Sequence, residues 1–291
     1  MQDEPRHREL GSAGFTPAPS PRPKPSERST SAPATPYWDG VAEHWIGLSR
    51  GRVWRRHADV VNAALLERWF PLSGLRTVLK TDLFEEAVGD GVYRLLRRHA
   101  VEVKGIDVSL QVVEAARRRN PDLDAVRADV RALPFPDASF DAAVSLSTLD
   151  HFADESDISV ALSELWRVLT PRGRLMITLD NASNPVLALR NRLPFQLVHA
   201  VGLVPYFVGV TCSVSSLPQA LRAVEFEVRE LTCILHCPRV AAVLASRLVE
   251  RSNSVRLEQR FRRLLLRFER LERSRAAART GYFVAALAIK R

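Results

Sequence analysis

Residues 101–151 read VEVKGIDVSLQVVEAARRRNPDLDAVRADVRALPFPDASFDAAVSLSTLDH, and this stretch decides the fold. It contains three β-rich runs, at 101–107, 123–129 and 140–148, and a helical segment that follows Ser109 separates the first two. Short apolar strands that alternate with helices are typical of a parallel sheet with crossover helices. The stretch therefore predicts an α/β fold.

The same alternation continues on both sides of this stretch. Further strands are predicted at 77–84, 173–180, 226–235 and 281–289, and helices at 38–70, 91–99, 154–169 and 239–279. Together these elements predict a Rossmann-like, seven-stranded and mostly parallel sheet with helices on both faces.

Composition divides the chain into a tail and one domain. Residues 1–36 contain eight of the 18 prolines, together with Ser, Thr and Ala, and predict a disordered tail. Residues 37–291 are predicted to form the domain. Its parts are N-terminal helices (37–74), an α/β core (75–180), an apolar cap (181–216), and C-terminal strands with a basic amphipathic helix (217–291).

The net charge of +9 comes mostly from arginine, with few aromatic residues beside it, so no nucleic-acid partner is expected. Eleven arginines and four glutamates lie within 247–279. Apolar residues there form one stripe, namely Leu257, Phe261, Leu264, Phe268 and Leu271. The stripe is predicted to pack on its own domain, with peripheral contact to an anionic membrane as the alternative.

The remaining composition favours a cytoplasmic protein. The N-terminus lacks the apolar core of a signal peptide, and no apolar run is long enough to span a bilayer. Cys212, Cys233 and Cys237 are expected to be free thiols, because no second Cys/His pair at zinc-ligand spacing accompanies them. No metal site is predicted.

Polar residues stand where strands of the predicted sheet end. Asp107 ends the second strand and Asp129 the third, and Gly89-Asp90-Gly91 precedes the first helix of the core. In open α/β sheets, ligands bind beyond the carboxyl ends of the strands. There a carboxylate can accept ribose hydroxyls or an exocyclic amine, and glycines let the backbone approach the ligand.

Three motifs carry a resemblance to a known family: VKGIDVS (103–109), AVRADVRALPFPDASFDAAVSLSTLDHF (125–152) and ELWRVLTPRGRLMIT (164–178). In this order and spacing they resemble class I S-adenosylmethionine-dependent methyltransferases, the group that contains the quinone-biosynthesis methyltransferases. The resemblance covers residues 75–180 and implies that S-adenosylmethionine binds there. It implies that Asp107 holds the ribose, that Asp129 and Val130 hold the adenine, and that Ser145 and Ser147 line the floor. Val108, next to Asp107, is also expected to bind the cofactor.

The first motif departs from the family pattern of an acid followed by Gly-x-Gly-x-Gly. Counting back from Asp107 without gaps places Gly91 and Gly89 on the last two glycines and Glu85 on the acid. An insertion would place Asp82 on the acid instead. Both alternatives stay open at this point.

Asp150 and His151 follow the fourth strand, where they would face the transferred methyl group. A histidine there could act as general base for a hydroxyl acceptor or could pack under the cap. The resemblance and the apolar cap predict methyl transfer to a small-molecule acceptor, with a lipophilic one (a quinone, lipid or secondary metabolite) favoured. The alternatives are a methyltransferase-like protein that binds without catalysis and an RNA or protein methyltransferase.

Overall fold

A computed structural model of the chain describes residues 35–46, 51–70, 74–193 and 206–291. The predicted tail lies outside the described residues except at its end, because the first helix begins at Thr35. The middle of the predicted cap, 194–205, lies outside them as well.

The described residues contain seven strands, joined in one sheet of order β3-β2-β1-β4-β5-β7-β6. The strands are β1 (Leu75–Lys80), β2 (Ala100–Asp107), β3 (Asp124–Arg127), β4 (Phe140–Leu146), β5 (Leu169–Asp180), β6 (Phe226–Ile234) and β7 (Phe283–Lys290). Neighbours from β3 to β5 are parallel, and β7 is antiparallel to both β5 and β6. The predicted seven-stranded, mostly parallel sheet is confirmed.

Helices cover both faces of the sheet because the central strands are apolar on both sides. The helices are α1 (Thr35–Trp45), α2 (Arg52–Trp69), α3 (Phe84–Val88), α4 (Tyr93–His99), α5 (Leu110–Arg119), α6 (Glu155–Val168), α7 (Pro185–Arg190), α8 (Ser216–Ala223), α9 (Arg239–Arg251), α10 (Val255–Arg267) and α11 (Ala277–Thr280). In β1, Val78 packs with α2, α4 and α5, whereas Leu79 packs on the other face with α6 and α8. This alternation follows from the two-residue period of a strand.

The first strand is shorter than predicted. β1 ends at Lys80, and the prediction of strand over 81–84 is wrong. The Leu83 N–H donates to Asp107 Oδ2 (3.1 Å), and the Phe84 N–H donates to Asp82 Oδ1 (2.9 Å). These bonds turn the chain away from the sheet and start α3, a helix that the sequence analysis missed.

The other helices of the core lie close to their predicted positions. α5 has the expected N-cap, because Ser109 Oγ accepts the N–H of Val112 at 3.4 Å. The helical segment predicted at 38–70 is two helices, since α1 ends at Trp45 and α2 begins at Arg52.

The predicted basic helix is also divided, into α9, α10, a 3₁₀ turn (Phe268–Arg273) and α11. Part of its predicted apolar stripe packs on the domain, because Phe261 and Phe268 contact the cluster around buried Leu265. Leu257 and Leu264 are 44% and 48% exposed, so the buried face of α10 is rotated from the predicted one. No helix in the described residues is long and apolar enough to cross a membrane.

Candidate functional site

A cavity of about 470 Å³ opens at the carboxyl edge of the parallel strands. Nine of the twelve residues predicted for the site line it: Asp82, Glu85, Gly91, Asp107, Val108, Asp129, Val130, Ser147 and His151. The other three, Gly89, Ser145 and Asp150, are not among its lining residues. The volume is within the range of small-ligand sites, and the position is where open α/β sheets bind ligands.

Asp107 ends β2 and is held rigidly at the cavity wall. Its Oδ1 accepts the N–H of Ser109 (2.9 Å) and its Oδ2 accepts the N–H of Leu83 (3.1 Å). Burial, followed by the neighbouring Asp82 carboxylate, raises the pKa of Asp107 to about 7. A carboxylate has about four lone-pair sites, so Asp107 can accept further hydrogen bonds from ligand hydroxyls.

Asp129, two residues beyond β3, is held by an arginine. The Arg131 guanidinium donates to both Asp129 oxygens, with Nη2 at 2.6 Å from Oδ2, and its Nη1 lies 3.2 Å from Asp157 Oδ2. Val130 is buried beside this pair. A ligand amine at Asp129 would therefore share the carboxylate with Arg131.

Glu86, which was not predicted as a site residue, holds the loop before α4 in place. Glu86 is fully buried, its Oε1 accepts the N–H groups of Val92 (3.0 Å) and Tyr93 (3.1 Å), and its Oε2 lies 2.8 Å from Lys80 Nζ. Gly91 has a φ of +58°, and a Cβ there would overlap the Glu86 carboxylate. Gly91 thus lines the cavity on one side, and on the other its missing side chain leaves room for the Glu86 carboxylate.

Gly89 ends α3 rather than facing the cavity. Its N–H donates to the Glu85 carbonyl oxygen at 2.7 Å, and its own carbonyl accepts from Arg119 Nη2 at 3.0 Å. Of the two glycines predicted to contact the ligand, Gly89 therefore ends a helix and Gly91 mainly makes room for Glu86.

Both alternatives for the acid of the first motif, Asp82 and Glu85, line the cavity. Glu85 Oε2 is buried without a hydrogen bond from a described residue, and Arg55 Nε is 4.0 Å away. Asp59 on α2 also lines the cavity, and its Oδ2 is buried without a hydrogen bond from the part of the chain that the structure describes. Burial is the main cause that raises the pKa of Glu85 to about 8 and of Asp59 to about 7. The two carboxylates repel each other, and the attraction of Arg55 for Glu85 and of Lys80 for Asp59 offsets the effect of burial only in part.

His151, in the 3₁₀ turn Leu149–His151 after β4, presents one ring nitrogen to accept a proton. Its Nδ1 is 2.9 Å from the Phe207 carbonyl oxygen, which can only accept, so Nδ1 carries the hydrogen. In the neutral ring, Nε2 is then the acceptor. The rings of Trp38 and Tyr206 lie 4.8 and 5.4 Å from the imidazole, between centroids.

Asp150 is buried behind His151. Its Oδ2 accepts from the Ser147 hydroxyl (2.8 Å) and from the Asp180 N–H (3.2 Å), and its Oδ1 lies 3.8 Å from His151 Nε2. Burial raises the pKa of Asp150 to about 6, against the opposing effect of His151. Asp150 therefore supports the turn and does not itself reach the cavity.

Ser145 does not line the cavity either. It is buried in β4, and its Oγ has no hydrogen bond with the residues described.

The sequence analysis missed a second wall of the cavity. It consists of Trp38 from α1, Trp54, Asp59 and Asn62 from α2, Tyr206, and Arg239 from α9. The one available signal was the concentration of tryptophans in residues 38–70. The α2 residues share a helical spacing, but polar side chains in such a stripe are also typical of a solvent-facing surface.

Comparisons with known proteins agree with this geometry. A family model described as a methyltransferase domain matches residues 87–177. A demethylmenaquinone methyltransferase of Streptomyces avermitilis is 30% identical over 191 residues, which make up 63% of this chain and 72% of that protein. The chain belongs to the class I S-adenosylmethionine-dependent methyltransferases. The family that the sequence motifs resemble is thereby confirmed.

This chain spans a smaller share of the length of two other relatives. A demethylmenaquinone methyltransferase of Renibacterium salmoninarum is 32% identical over 165 residues, or 56% of this chain. The chain spans 65% of the length of that protein and of a further relative from Mycolicibacterium smegmatis.

Solved structures show the same fold. The [4+2]-cyclase SpnF is 22% identical with a TM-score of 0.55, covering 88% of the present chain and 92% of that protein. A geranyl diphosphate methyltransferase is 14% identical, also with a TM-score of 0.55, covering 89% and 100%. At these identities the likeness concerns the fold alone.

The contact between Gly91 and Glu86 predicts unequal costs at two glycines. Gly51→Ala is expected to cost about 1 kcal/mol, because Gly51 has a φ of +71° but open space around it. Gly91→Ala is expected to cost roughly 2 kcal/mol more, because its Cβ also overlaps the Glu86 carboxylate. Urea denaturation of both variants measures the difference. Equal losses of stability would contradict the proposed role of Gly91.

The raised pKa values of Asp59 and Glu85 predict that the unliganded protein loses stability as the pH rises. A carboxyl whose pKa is raised by folding stabilises the native state below its unfolded pKa, and this contribution is lost as the pH passes the folded value. For this pair the loss falls between about pH 4 and pH 8. The double variant Asp59→Asn/Glu85→Gln should therefore show a flatter melting temperature between pH 5 and pH 8.5 than the wild type.

The control for this measurement is Glu67→Gln/Asp122→Asn, which removes one glutamate and one aspartate from exposed positions. Its melting profile should run parallel to that of the wild type. Parallel profiles for all three proteins would show that the buried pair is not the source of the pH dependence.

Proposed function

We propose that the protein transfers a methyl group from S-adenosylmethionine to a small molecule with a substantial apolar part. The observation that carries this proposal is the continuity of the cavity. One end has the strand-end carboxylates Asp107 and Asp129, and the other has His151 among aromatic rings. Donor and acceptor could therefore occupy a single space.

At the donor end we assign roles by residue. Asp107 and Val108 would hold the ribose, Val130 would pack on the adenine, and Asp129 would accept from its amine. Ser147 would line the floor beneath the ligand, with Ser145 supporting it from within β4. When bound, S-adenosylmethionine supplies a methyl group on a positively charged sulfur, which is already a strong electrophile.

The charge of the cavity fits such a donor. S-adenosylmethionine carries a sulfonium and an ammonium group, and Asp59 and Glu85 each present a buried carboxylate oxygen without a hydrogen bond from the described residues. A bound cation would favour their ionised forms and satisfy these acceptors. Asp82, held by the Phe84 N–H, would add to the negative potential. Both alternatives for the acid of the first motif, Asp82 and Glu85, would thus contribute to donor binding.

At the acceptor end, His151 is the group we assign to proton removal. The Phe207 carbonyl fixes the ring so that Nε2 can accept a proton from an acceptor hydroxyl. Asp150 would orient the turn through Ser147 and stabilise the protonated ring across 3.8 Å. Trp38 and Tyr206 would hold the apolar part of the acceptor and exclude water.

Calorimetric titration with S-adenosylmethionine and S-adenosylhomocysteine tests the donor site. The wild type is expected to bind both with micromolar affinity, and Asp107→Ala to lose at least tenfold, because the ribose hydroxyls lose their acceptor. The control is Asp122→Ala, an exposed aspartate that should leave the affinity unchanged.

Failure of the folded wild type to bind either compound would exclude the proposed donor. Binding without turnover on any acceptor would instead favour the alternative of a methyltransferase-like binding protein. Salt-sensitive binding of RNA would favour an RNA methyltransferase.

His151→Gln tests the acceptor end separately, in a turnover screen of hydroxylated aromatic compounds. It is expected to keep the wild-type affinity for S-adenosylhomocysteine and to reduce kcat about a hundredfold or more, because general-base catalysis typically contributes that much. An unchanged kcat would show that His151 packs in the wall without a role in proton transfer.

Contact of the basic C-terminal helices with an anionic membrane stays the alternative to the predicted packing of the apolar stripe on its own domain. The side of α9 that carries Val240, Leu244 and Leu248 is exposed, and so are Leu257 and Leu264 on α10. These exposed residues support membrane contact, whereas the packing of Phe261 and Phe268 supports the prediction that α10 packs on its own domain.

A further inference from the structure

Arg239, the first residue of α9, lines the cavity without a carboxylate partner. Its guanidinium carbon lies 4.2 Å from the centre of the Tyr282 ring and 5.9 Å from that of Trp54. Among the described residues no Asp or Glu oxygen forms an ion pair with it within 4.0 Å, and Asp180 and Asp150, which raise its pKa, act from beyond that distance. The two other basic residues that line the cavity do have such partners, since Lys80 pairs with Glu86 and Arg131 with Asp129.

The position of Arg239 in its helix is also unfavourable by itself. A positive charge at the first residue of a helix faces the positive end of the helix dipole, and the first turn of α9 contains no acidic residue. The two aromatic faces offset part of this cost by attracting the cation. An arginine kept in such a place is suited to a negatively charged group that enters the cavity.

The sheet order places Arg239 at the acceptor end. Tyr282 directly precedes β7, whereas Asp107 ends β2, and four strand spacings separate these two strands in the sheet. At about 4.8 Å per spacing, the separation is about 19 Å across the sheet. Tyr206, another cavity residue, is 5.4 Å from His151 between ring centres and is one of the groups that raise the pKa of Arg239.

We propose that Arg239 binds an oxyanion of the methyl acceptor, so that the acceptor combines an aromatic or apolar body with a carboxylate or phosphoryl group. The proposal rests on the proposed function, since it places the acceptor in the same cavity. The planar guanidinium would donate two parallel hydrogen bonds to the oxyanion. Tyr282 and Trp54 would keep the guanidinium oriented before the acceptor arrives.

The test is calorimetric titration of the full chain with three probes of similar size: phenylacetate, phenyl phosphate and the neutral phenylacetamide. Each titration is run with and without saturating S-adenosylhomocysteine. The wild type is expected to bind at least one anionic probe tenfold or more tightly than the amide. The two anions distinguish a carboxylate from a phosphoryl group.

Arg239→Gln should bind the anions no better than the amide, and Arg239→Lys should recover part of the preference as a point charge. Arg247→Gln, at an exposed position two turns along the same helix, is the matched control and should behave as the wild type. All three variants should bind S-adenosylhomocysteine with wild-type affinity, which also shows that they are folded.

Three results would overturn the inference. The wild type could bind the three probes equally or bind none of them, or Arg239→Gln could keep the preference for anions. A folded Arg239→Gln variant that loses S-adenosylhomocysteine would place Arg239 at the donor end instead. If the wild type binds no S-adenosylhomocysteine, the proposed function fails, and the titrations without it still decide whether Arg239 binds an anion.

Discussion

The ion pair between Lys80 and Glu86 is the interaction on which the ligand end of the sheet depends. Both side chains are buried, with Lys80 only 3% exposed and Glu86 fully enclosed. Removing two charges from water is costly, and their attraction offsets the cost only when further hydrogen bonds complete the site. Glu86 has these bonds from the Val92 and Tyr93 N–H groups, and the Lys80 ammonium contacts the Asp82 carbonyl oxygen. The pair thus joins the end of β1 to the start of α4.

Several local features follow from this pair. Only five residues separate the two partners, so the backbone must leave the direction of β1 directly after Lys80 for Glu86 to reach it. A negative carboxylate at the start of α4 satisfies its free N–H groups and complements the helix dipole. Because Gly91 has no side chain, the Glu86 carboxylate can reach those groups. In this chain the start of the helix is therefore occupied by the protein's own carboxylate.

The cavity end that we propose for the donor was predictable because it is built from consecutive strand and helix units. An apolar run that ends on Asp107 or Asp129 indicates both the strand and the position of its last residue at the sheet edge. The same reasoning wrongly extended β1 through Lys80-Thr81-Asp82. Polar residues inside a β-rich run still resemble a strand when the ion-pair partner of Lys80 is unknown. Glu86 could not be identified as that partner from spacing, since α3 was not predicted.

The acceptor end was less predictable because residues far apart in the chain build it. α2 is fixed against the C-terminal helices by Glu250, which accepts the N–H groups of Gly51 (3.2 Å) and Val53 (2.7 Å), and by Glu258, whose Oε2 lies 2.8 Å from Arg52 Nη1. These contacts span about 200 residues, and a local pattern does not reveal them.

This division between the two ends has a consequence for specificity. Residues at the donor end are held by the sheet itself, whose register leaves little freedom in where Asp107 and Asp129 lie. Residues at the acceptor end, such as Trp54 and Arg239, are held by helix packing outside the parallel strands, which can change without disturbing the sheet. A chain of this family can therefore acquire a different acceptor through α2 and α9 while keeping its donor site. For this reason the identity of the acceptor is better sought in the charge and aromatic faces of these helices than in the motifs that define the family.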